Sequence, residues 1–294
     1  MKAPFQRILL LALCLGPGTH AHAHAQETEP LRLAGTDFFK GEIAERIQAG
    51  SPAARLSAQW PGTRKALQLL KTGRCDLALV ACTSPADIPD LPGMGRLPVA
   101  YRISRVVVAK DNPMTEISVG ELAAIFGSRA ERKISLWGEL NLQGAWRARA
   151  IEPMVAERFT SFSREIFAHH ALRNDRLQSG VKVHADEAAL ATAFQKNPGA
   201  IAVFASLHVD GIGKAVSIAL KEGEAFGATP ENLYFGDYPL QMPFVLLYPQ
   251  ARKQEFAPVL RLLYSTEVAQ AIFQSGLAPV PDNFRTAELK KLTE

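Results

Sequence analysis

The sequence predicts an α/β protein folded as two lobes, each a mainly parallel sheet flanked by helices. Three observations carry this expectation. Short apolar segments alternate with amphipathic ones over brief connections through residues 31–81, as strand–helix–strand–helix–strand. The third strand, Asp76-Leu77-Ala78-Leu79-Val80-Ala81, is almost continuously apolar, as a parallel strand buried on both faces is. Two further apolar runs, over residues 97–109 and 243–248, have the character of strands crossing between lobes. They divide the chain into one lobe of residues 26–104 with 241–294 and another of residues 105–240.

Taken in order, Leu31-Arg32-Leu33-Ala34 is a short buried strand, broken by Gly35-Thr36-Asp37. A helix is expected over 38–48, because Phe39, Ile43 and Ile47 recur every four residues on one face. Thr36 or Asp37 is its natural N-cap. Residues 54–60 alternate loosely as a second strand. Pro61-Gly62-Thr63 then turns the chain into a helix over 64–72, closed by Gly73. The third strand ends in the loop Cys82-Thr83-Ser84-Pro85. The run over 97–109 is rich in β-branched and aromatic residues and is interrupted by Arg102 and Arg105. Ser118, with Glu121 three residues on, is a capping box for a helix over 118–126. A strand over 150–155 leads to Arg158, and a helix begins at about Ser163. Asp186 starts a helix over 185–195, and Ala200-Ile201-Ala202-Val203-Phe204 is a buried strand. Residues 206–236 read as glycine-rich and irregular. Helices over 256–263 and 266–274 follow, and Gly276-Leu277-Ala278-Pro279 closes the core.

The chain of 294 residues is 47% apolar and 21% charged, the balance of a globular protein. Residues 1–25 stand apart. Lys2 and Arg7 precede an apolar run over 8–15, Gly16-Pro17-Gly18 breaks it, and Ala23-His24-Ala25 supplies an A-x-A site. This pattern predicts a secretory signal peptide cleaved before Gln26, and hence a periplasmic location. The run is too short to span a bilayer. Losing Lys2 and Arg7 lowers the formal net charge from +4 to +2. The basic residues are scattered without an aromatic-interleaved stripe, which argues against nucleic acid as a partner. Cys75 and Cys82 remain after cleavage. On one strand at ~3.3 Å per residue they would lie roughly 23 Å apart, far beyond disulfide reach, so two buried free thiols are expected.

The candidate site centres on residues 158–167. Arg158 offers a two-pronged cation, Ser161 and Ser163 offer hydroxyls, and a helix N-terminus offers unpaired N–H groups. Such a set suits a tetrahedral oxyanion. The ends of the first three strands also carry hydroxyls, at Thr36, Thr63 and Thr83 with Ser84, and ligands of α/β sheets bind beyond the carboxyl ends of strands. Taken one at a time, each of these hydroxyls is equally an ordinary cap.

Several segments occur in an order that resembles the periplasmic phosphate-binding proteins of ABC transporters, within the type II solute-binding superfamily. Leu33-Ala34-Gly35-Thr36-Asp37 is similar to the family's opening strand and ligand loop, and Gly62-Thr63 with Ala66-Leu67, Gly73 and Asp76 to its second loop, helix and strand. Ile117-Ser118, Glu121-Leu122, Ile125-Phe126-Gly127 and Trp137-Gly138-Glu139-Leu140 resemble a family segment. Arg158, Ser161, Ser163, Arg164 and Phe167 fit Arg-x-x-Ser-Gly-Thr-Arg-x-x-Phe. Asn197-Pro198-Gly199-Ala200-Ile201, Tyr238-Pro239-Leu240 and the last helices with Gly276 and Pro279 continue the match, which runs from about residue 30 to 282. The resemblance implies a two-lobed type II fold closing about hinge strands on an inorganic oxyanion, phosphate foremost. Its ligands would be Thr36, Asp37, Gly62, Thr63 and Thr83 on one lobe and Arg158, Ser161, Phe162 and Ser163 on the other. It further implies no cofactor or metal, a monomer, and an ABC permease or membrane sensor as partner. Two departures stand out. Phe162 replaces the family's glycine, and Ala81-Cys82-Thr83 stands where phosphate binders carry an aspartate that accepts the ligand's proton.

Two other classes of function are open to this sequence. An exported accessory protein that has lost oxyanion binding would explain both departures. An exported phosphatase-like hydrolase would use His169, His170 or His184. The sequence argues against catalysis: adjacent helical histidines point about 100° apart, and neither H-E-x-x-H nor G-x-S-x-G occurs.

Overall fold

The computed structural model describes residues 29–83, 88, 90–157, 162–205, 209, 211–220 and 223–291. In chain order the strands are β1 (Leu31–Gly35), β2 (Leu56–Gln59), β3 (Leu77–Ala81), β4 (Met94–Ile103), β5 (Arg105–Val108), β6 (Glu116–Ser118) and β7 (Glu152–Ala156). They continue with β8 (Lys182–His184), β9 (Ala200–Phe204), β10 (Lys214–Ala215), β11 (Ser217–Ala219), β12 (Ala225–Phe226), β13 (Gln241–Pro249) and β14 (Ala278–Pro279). A six-stranded sheet of order β14-β4-β13-β3-β1-β2 forms the first lobe. A five-stranded sheet of order β10-β5-β9-β7-β8 and a three-stranded one of order β12-β11-β6 form the second. The α/β architecture with helices on the sheet faces is as expected.

The parallel character is less complete than expected. β1 pairs parallel with β2 and β3, and β7 pairs parallel with β8 and β9. The returning strands are antiparallel: β13 against β3 and β4, and β5 against β9. Each main sheet is therefore mixed. A chain that enters one lobe on a strand and comes back on another must reverse direction, so the crossing strands add antiparallel partners to a parallel core.

The helices are α1 (Glu42–Ala54), α2 (Thr63–Lys71), α3 (Val119–Phe126), α4 (Ser163–His170), α5 (Glu187–Gln195), α6 (Pro230–Phe235), α7 (Ala257–Leu263), α8 (Thr266–Gln274) and α9 (Asp282–Lys290). Local chemistry explains their limits. The capping box of α3 forms in full, with Glu121 N–H donating to Ser118 Oγ at 3.1 Å and Ser118 N–H to the Glu121 carboxylate at 2.8 Å. The helix expected over 38–48 is interrupted. A 3₁₀ turn over Asp37–Phe39 is followed by Gly41 at φ 77°, and α1 begins only at Glu42. Glycine alone takes that conformation cheaply, and Phe39, Ile43 and Ile47 still reach full burial. The stretch 206–236 holds β10, β11, β12 and α6, where irregular chain was expected. For α6 the signal was present in the sequence: Thr229 caps, Pro230 occupies the first turn, and Gly236 closes at φ 83°. Beyond the expected elements, α9 is tied down by buried Arg285, which donates to the carbonyls of Tyr264 at 2.8 Å and Ser265 at 3.1 Å.

The run over 97–109 divides at Ser104, where the chain leaves one sheet for the other. Ser104 is fully buried and completely paired. Its N–H donates to Leu240 C=O at 2.9 Å, its hydroxyl to Ser163 C=O at 2.6 Å, and its C=O accepts from Tyr238 Oη at 2.6 Å. The crossover thus joins β4, the approach to β13 and the start of α4 at one residue. Packing interlocks there too. Ile166 of α4 belongs to the first lobe's core with Phe39 and Phe244, while Tyr101 and Ile103 of β4 belong to the second lobe's core with Trp137 and Phe167.

Cys75 and Cys82 are buried and form no disulfide. Among the described residues no helix is long and apolar enough to cross a membrane. The expected signal segment 1–25 lies outside the described residues.

Candidate functional site

The parallel strand ends of the first lobe meet at one edge, in the order β3-β1-β2. Thr36, at the end of β1, is 1% exposed. Its N–H donates to Leu79 C=O at 2.8 Å and its hydroxyl oxygen accepts from Phe38 N–H at 3.5 Å. Gly62 N–H donates to Gly35 C=O at 3.1 Å, bringing the loop before α2 against the end of β1. Gly62 sits at φ 95°, and a side chain there would stand 3.7 Å from the Asp37 carboxylate. Thr63 opens α2, and its hydroxyl oxygen accepts from Ala81 N–H at 3.0 Å, tying the end of β3 to the helix. Thr36, Asp37, Gly62 and Thr63 therefore share one edge. Thr83 departs from it and lines a cavity on another face of the sheet. Trp60 lies over Gly35, whose missing Cβ would stand 2.4 Å from the indole ring, and Trp60 stacks on Phe39 at 5.8 Å.

From the second lobe, Phe162 reaches this edge through Phe38, and Ser163 follows it as the first residue of α4. Phe162 precedes α4 in the left-handed conformation, φ 58° and ψ −4°. That conformation costs roughly 1–2 kcal/mol for a residue with a Cβ, and it is the one a glycine would adopt freely. The ring does not stand clear of the first lobe. It meets Phe38 edge-on at 4.8 Å and 77°, and Phe38 in turn meets Phe244 at 5.6 Å. Ser163 is 1% exposed, and its hydroxyl donates to the Glu187 carboxylate at 3.4 Å. Arg158 and Ser161, the centre of the expected anion site, lie outside the described residues.

Two charged residues join the site that sequence reasoning had not placed there. Arg102, on β4, stands over the rings of Phe38 and Phe162, with its guanidinium carbon 5.4 and 5.8 Å from their centroids. Burial lowers its pKa, opposed by the charges of Glu187 and Glu165. Its Nε is buried and makes no hydrogen bond among the described residues. The sequence marked Arg102 as an interruption of an apolar strand; that interruption was the signal. Glu187, in the first turn of α5, accepts from both Ser163 Oγ and Ala205 N–H, the latter at 2.6 Å. In sequence it reads as an ordinary first-turn acid.

The arrangement brings hydroxyls, a helix start and a half-buried guanidinium to the meeting of two lobes, with a carboxylate beside one hydroxyl. Such a set can hold an anion and also accept a proton from it. Among the described residues no group of three or more histidine, cysteine or acidic side chains is placed to hold a metal.

No family model matches the chain. It is similar to the phosphate-binding protein PstS of Pseudomonas aeruginosa, with 24% identity over 205 residues, a match covering 67% of this chain and 63% of that relative. The match thus spans less than two thirds of the relative's length. Among solved structures it is similar to a possible phosphate binding protein from Planctomyces limnophilus, with a TM-score of 0.62 and 18% identity over 90% of this chain and 97% of that one. It is also similar to an ABC-type phosphate transport receptor from Vibrio cholerae, with a TM-score of 0.56 and 19% identity over 84% of this chain and 99% of that one. The structural likenesses show a shared fold, and it is the two-lobed fold that the sequence resemblance implied.

Proposed function

We propose that this protein is an exported solute-binding protein that captures phosphate between its two lobes and delivers it to a membrane permease of the ABC type. The observation that carries the reading is the meeting of the Thr36 and Gly62-Thr63 edge with the start of α4, fastened by the Phe38–Phe162 contact at 4.8 Å. The two lobes meet there around donors suited to a tetrahedral oxyanion. The similarity to proteins described as phosphate-binding supports phosphate over other oxyanions.

In this reading Thr36, Gly62 and Thr63 on the first lobe and Arg158, Ser161 and Ser163 on the second hold the anion, with Phe162 closing over it. The lobes comprise residues 26–104 with 241–294 and residues 105–240, hinged at Ser104 and Leu240. The segment 1–25 directs export to the periplasm and is removed. Glu187 supplies the proton acceptor that Thr83 does not, which favours phosphate over sulfate because sulfate carries no proton near neutral pH. The protein binds and releases its ligand without chemical change. A membrane sensor in place of the permease would use the same closed form.

Isothermal titration with phosphate, sulfate, arsenate, molybdate and tungstate tests the proposal. Heat with phosphate, lost on Arg158→Ala, is the expected result. Absence of heat with every anion would sink it and leave an accessory protein that has lost oxyanion binding.

A further inference from the structure

A cavity of about 510 Å³ lies between the lobes on the opposite face of the crossing strands from Phe38 and Phe162. Strand alternation separates the two places. On β4, Tyr101 lines the cavity while Arg102 stands over Phe38 and Phe162. On β13, Gln241 and Val245 line it while Phe244 packs on Phe38 and Phe39. The second lobe contributes Tyr234 and Phe235 to its wall. The volume falls within the roughly 300–1,000 Å³ of small-molecule sites, well beyond what an inorganic anion fills.

Two polar side chains in this largely apolar wall lack partners. Tyr101 is 3% exposed and Gln241 is 8% exposed, yet the Tyr101 hydroxyl and Gln241 Oε1 make no hydrogen bond among the described residues. Buried polar atoms are ordinarily paired, and leaving them unpaired is costly. Both unpaired atoms border the same cavity, so a ligand entering it is the economical source of partners. The chemistry of that ligand follows from the two atoms. Gln241 Oε1 only accepts, so it requires a donor. The Tyr101 phenol, held protonated by burial, offers a donor and requires an acceptor. Hydroxyl and carboxamide groups carry both functions without charge; Arg96 and His170 also line the cavity, but Arg96 already faces the Asp90 carboxylate at 3.8 Å, and a carboxylate beside Gln241 Oε1 would set a buried anion against the amide oxygen.

We propose that this cavity is a second ligand site, for a small uncharged organic molecule with an apolar body and a hydroxyl or carboxamide head held by Tyr101 and Gln241.

Phenol and toluene, similar in size and differing in the hydroxyl, test it by ligand-observed NMR titration of the full chain, with phosphate binding measured in parallel. Phenol is expected to bind about tenfold more tightly than toluene. Tyr101→Phe and Gln241→Leu should each weaken phenol by about tenfold, leave toluene unchanged, and leave the melting temperature equal to or above the parent's, since each removes an unpaired buried atom. Failure of phenol to bind at millimolar concentration, equal binding of phenol and toluene, or a lowered melting temperature in Tyr101→Phe overturns the proposal. Phosphate binding that persists in both variants assigns such a failure to this cavity and leaves the oxyanion reading standing.

Discussion

Replacing Phe162 with glycine separates what the residue does for the fold from what it does for closure. For the fold, glycine relieves a left-handed conformation costing roughly 1–2 kcal/mol and gives back up to about 1 kcal/mol through its freer unfolded state. The two nearly offset, and stability should stay within about 1 kcal/mol of the parent. For closure, the ring's contacts with Phe38 and Arg102 reach the other lobe. The edge-on pairing with Phe38 at 4.8 Å is worth about 0.5–1.5 kcal/mol beyond area. The approach of Arg102 at 5.8 Å adds about 0.5–2 kcal/mol in a partly buried setting. On the proposed function they together favour a closed form by about 1–3 kcal/mol, so phosphate affinity should fall by one to two powers of ten, at tenfold per 1.4 kcal/mol. Isothermal titration reads the affinity and chemical denaturation reads the fold. Adding Phe38→Ala makes a double-mutant cycle, expected to show about 1 kcal/mol of coupling. Unchanged phosphate affinity in Phe162→Gly, or strictly additive effects with Phe38→Ala, would refute the assignment of this contact to closure.

Other substitutions address neighbouring features. Glu187→Gln keeps an acceptor for Ala205 N–H but weakens proton acceptance, so discrimination of phosphate against sulfate should narrow by about tenfold, read by competition titration. Tyr238→Phe removes the 2.6 Å bond to the Ser104 carbonyl and should cost about 1–3 kcal/mol in urea denaturation, because the acceptor stays buried. Gly35→Ala would set a Cβ 2.4 Å from the Trp60 ring; the indole must shift, with a changed emission maximum and about 1–3 kcal/mol of lost stability. Asp76 is pushed up by burial but held below the usual carboxylate range overall by hydrogen bonds from the Arg32 side chain and backbone N–H. A carboxylate with a lowered folded pKa contributes stability that is present above the unfolded value of about 3.9 and lost as pH falls through the folded value. Asp76→Asn should therefore lower the melting temperature at pH 7, and the difference should shrink as the pH is taken below 4.

Much of this was legible along the chain because it rests on local chemistry. The apolar period of β1, β3 and β9, the capping box of α3 and the glycine closing α2 act over a few residues. They appear in the sequence as they appear in the fold. The hydroxyls at Thr36 and Thr63 were legible for the same reason, since strand ends announce themselves. Gly41 breaks the 38–48 period locally, and Thr229-Pro230 with Gly236 bounds α6 by the same short-range chemistry.

Contacts across the lobes left no such trace. Nothing near Phe162 in sequence says that its ring meets Phe38, or that it takes a conformation glycine would adopt freely; the partner lies 124 positions earlier. Arg102 and Tyr101 are adjacent in the chain, and only the pairing of β4 with β13 sends one to the Phe38 side and the other to the cavity. Glu187 becomes a neighbour of Ser163 because β7 and β9 run side by side, which sets α4 and α5 over the same strand ends. The α/β elements and the donors at their ends follow from the chain alone, because hydrogen-bonding and apolar periodicity are short-ranged. The tertiary structure decided which donors meet, what lies between the lobes and which face Thr83 takes, because those follow from strand order and crossing, which bring together residues that chain proximity does not.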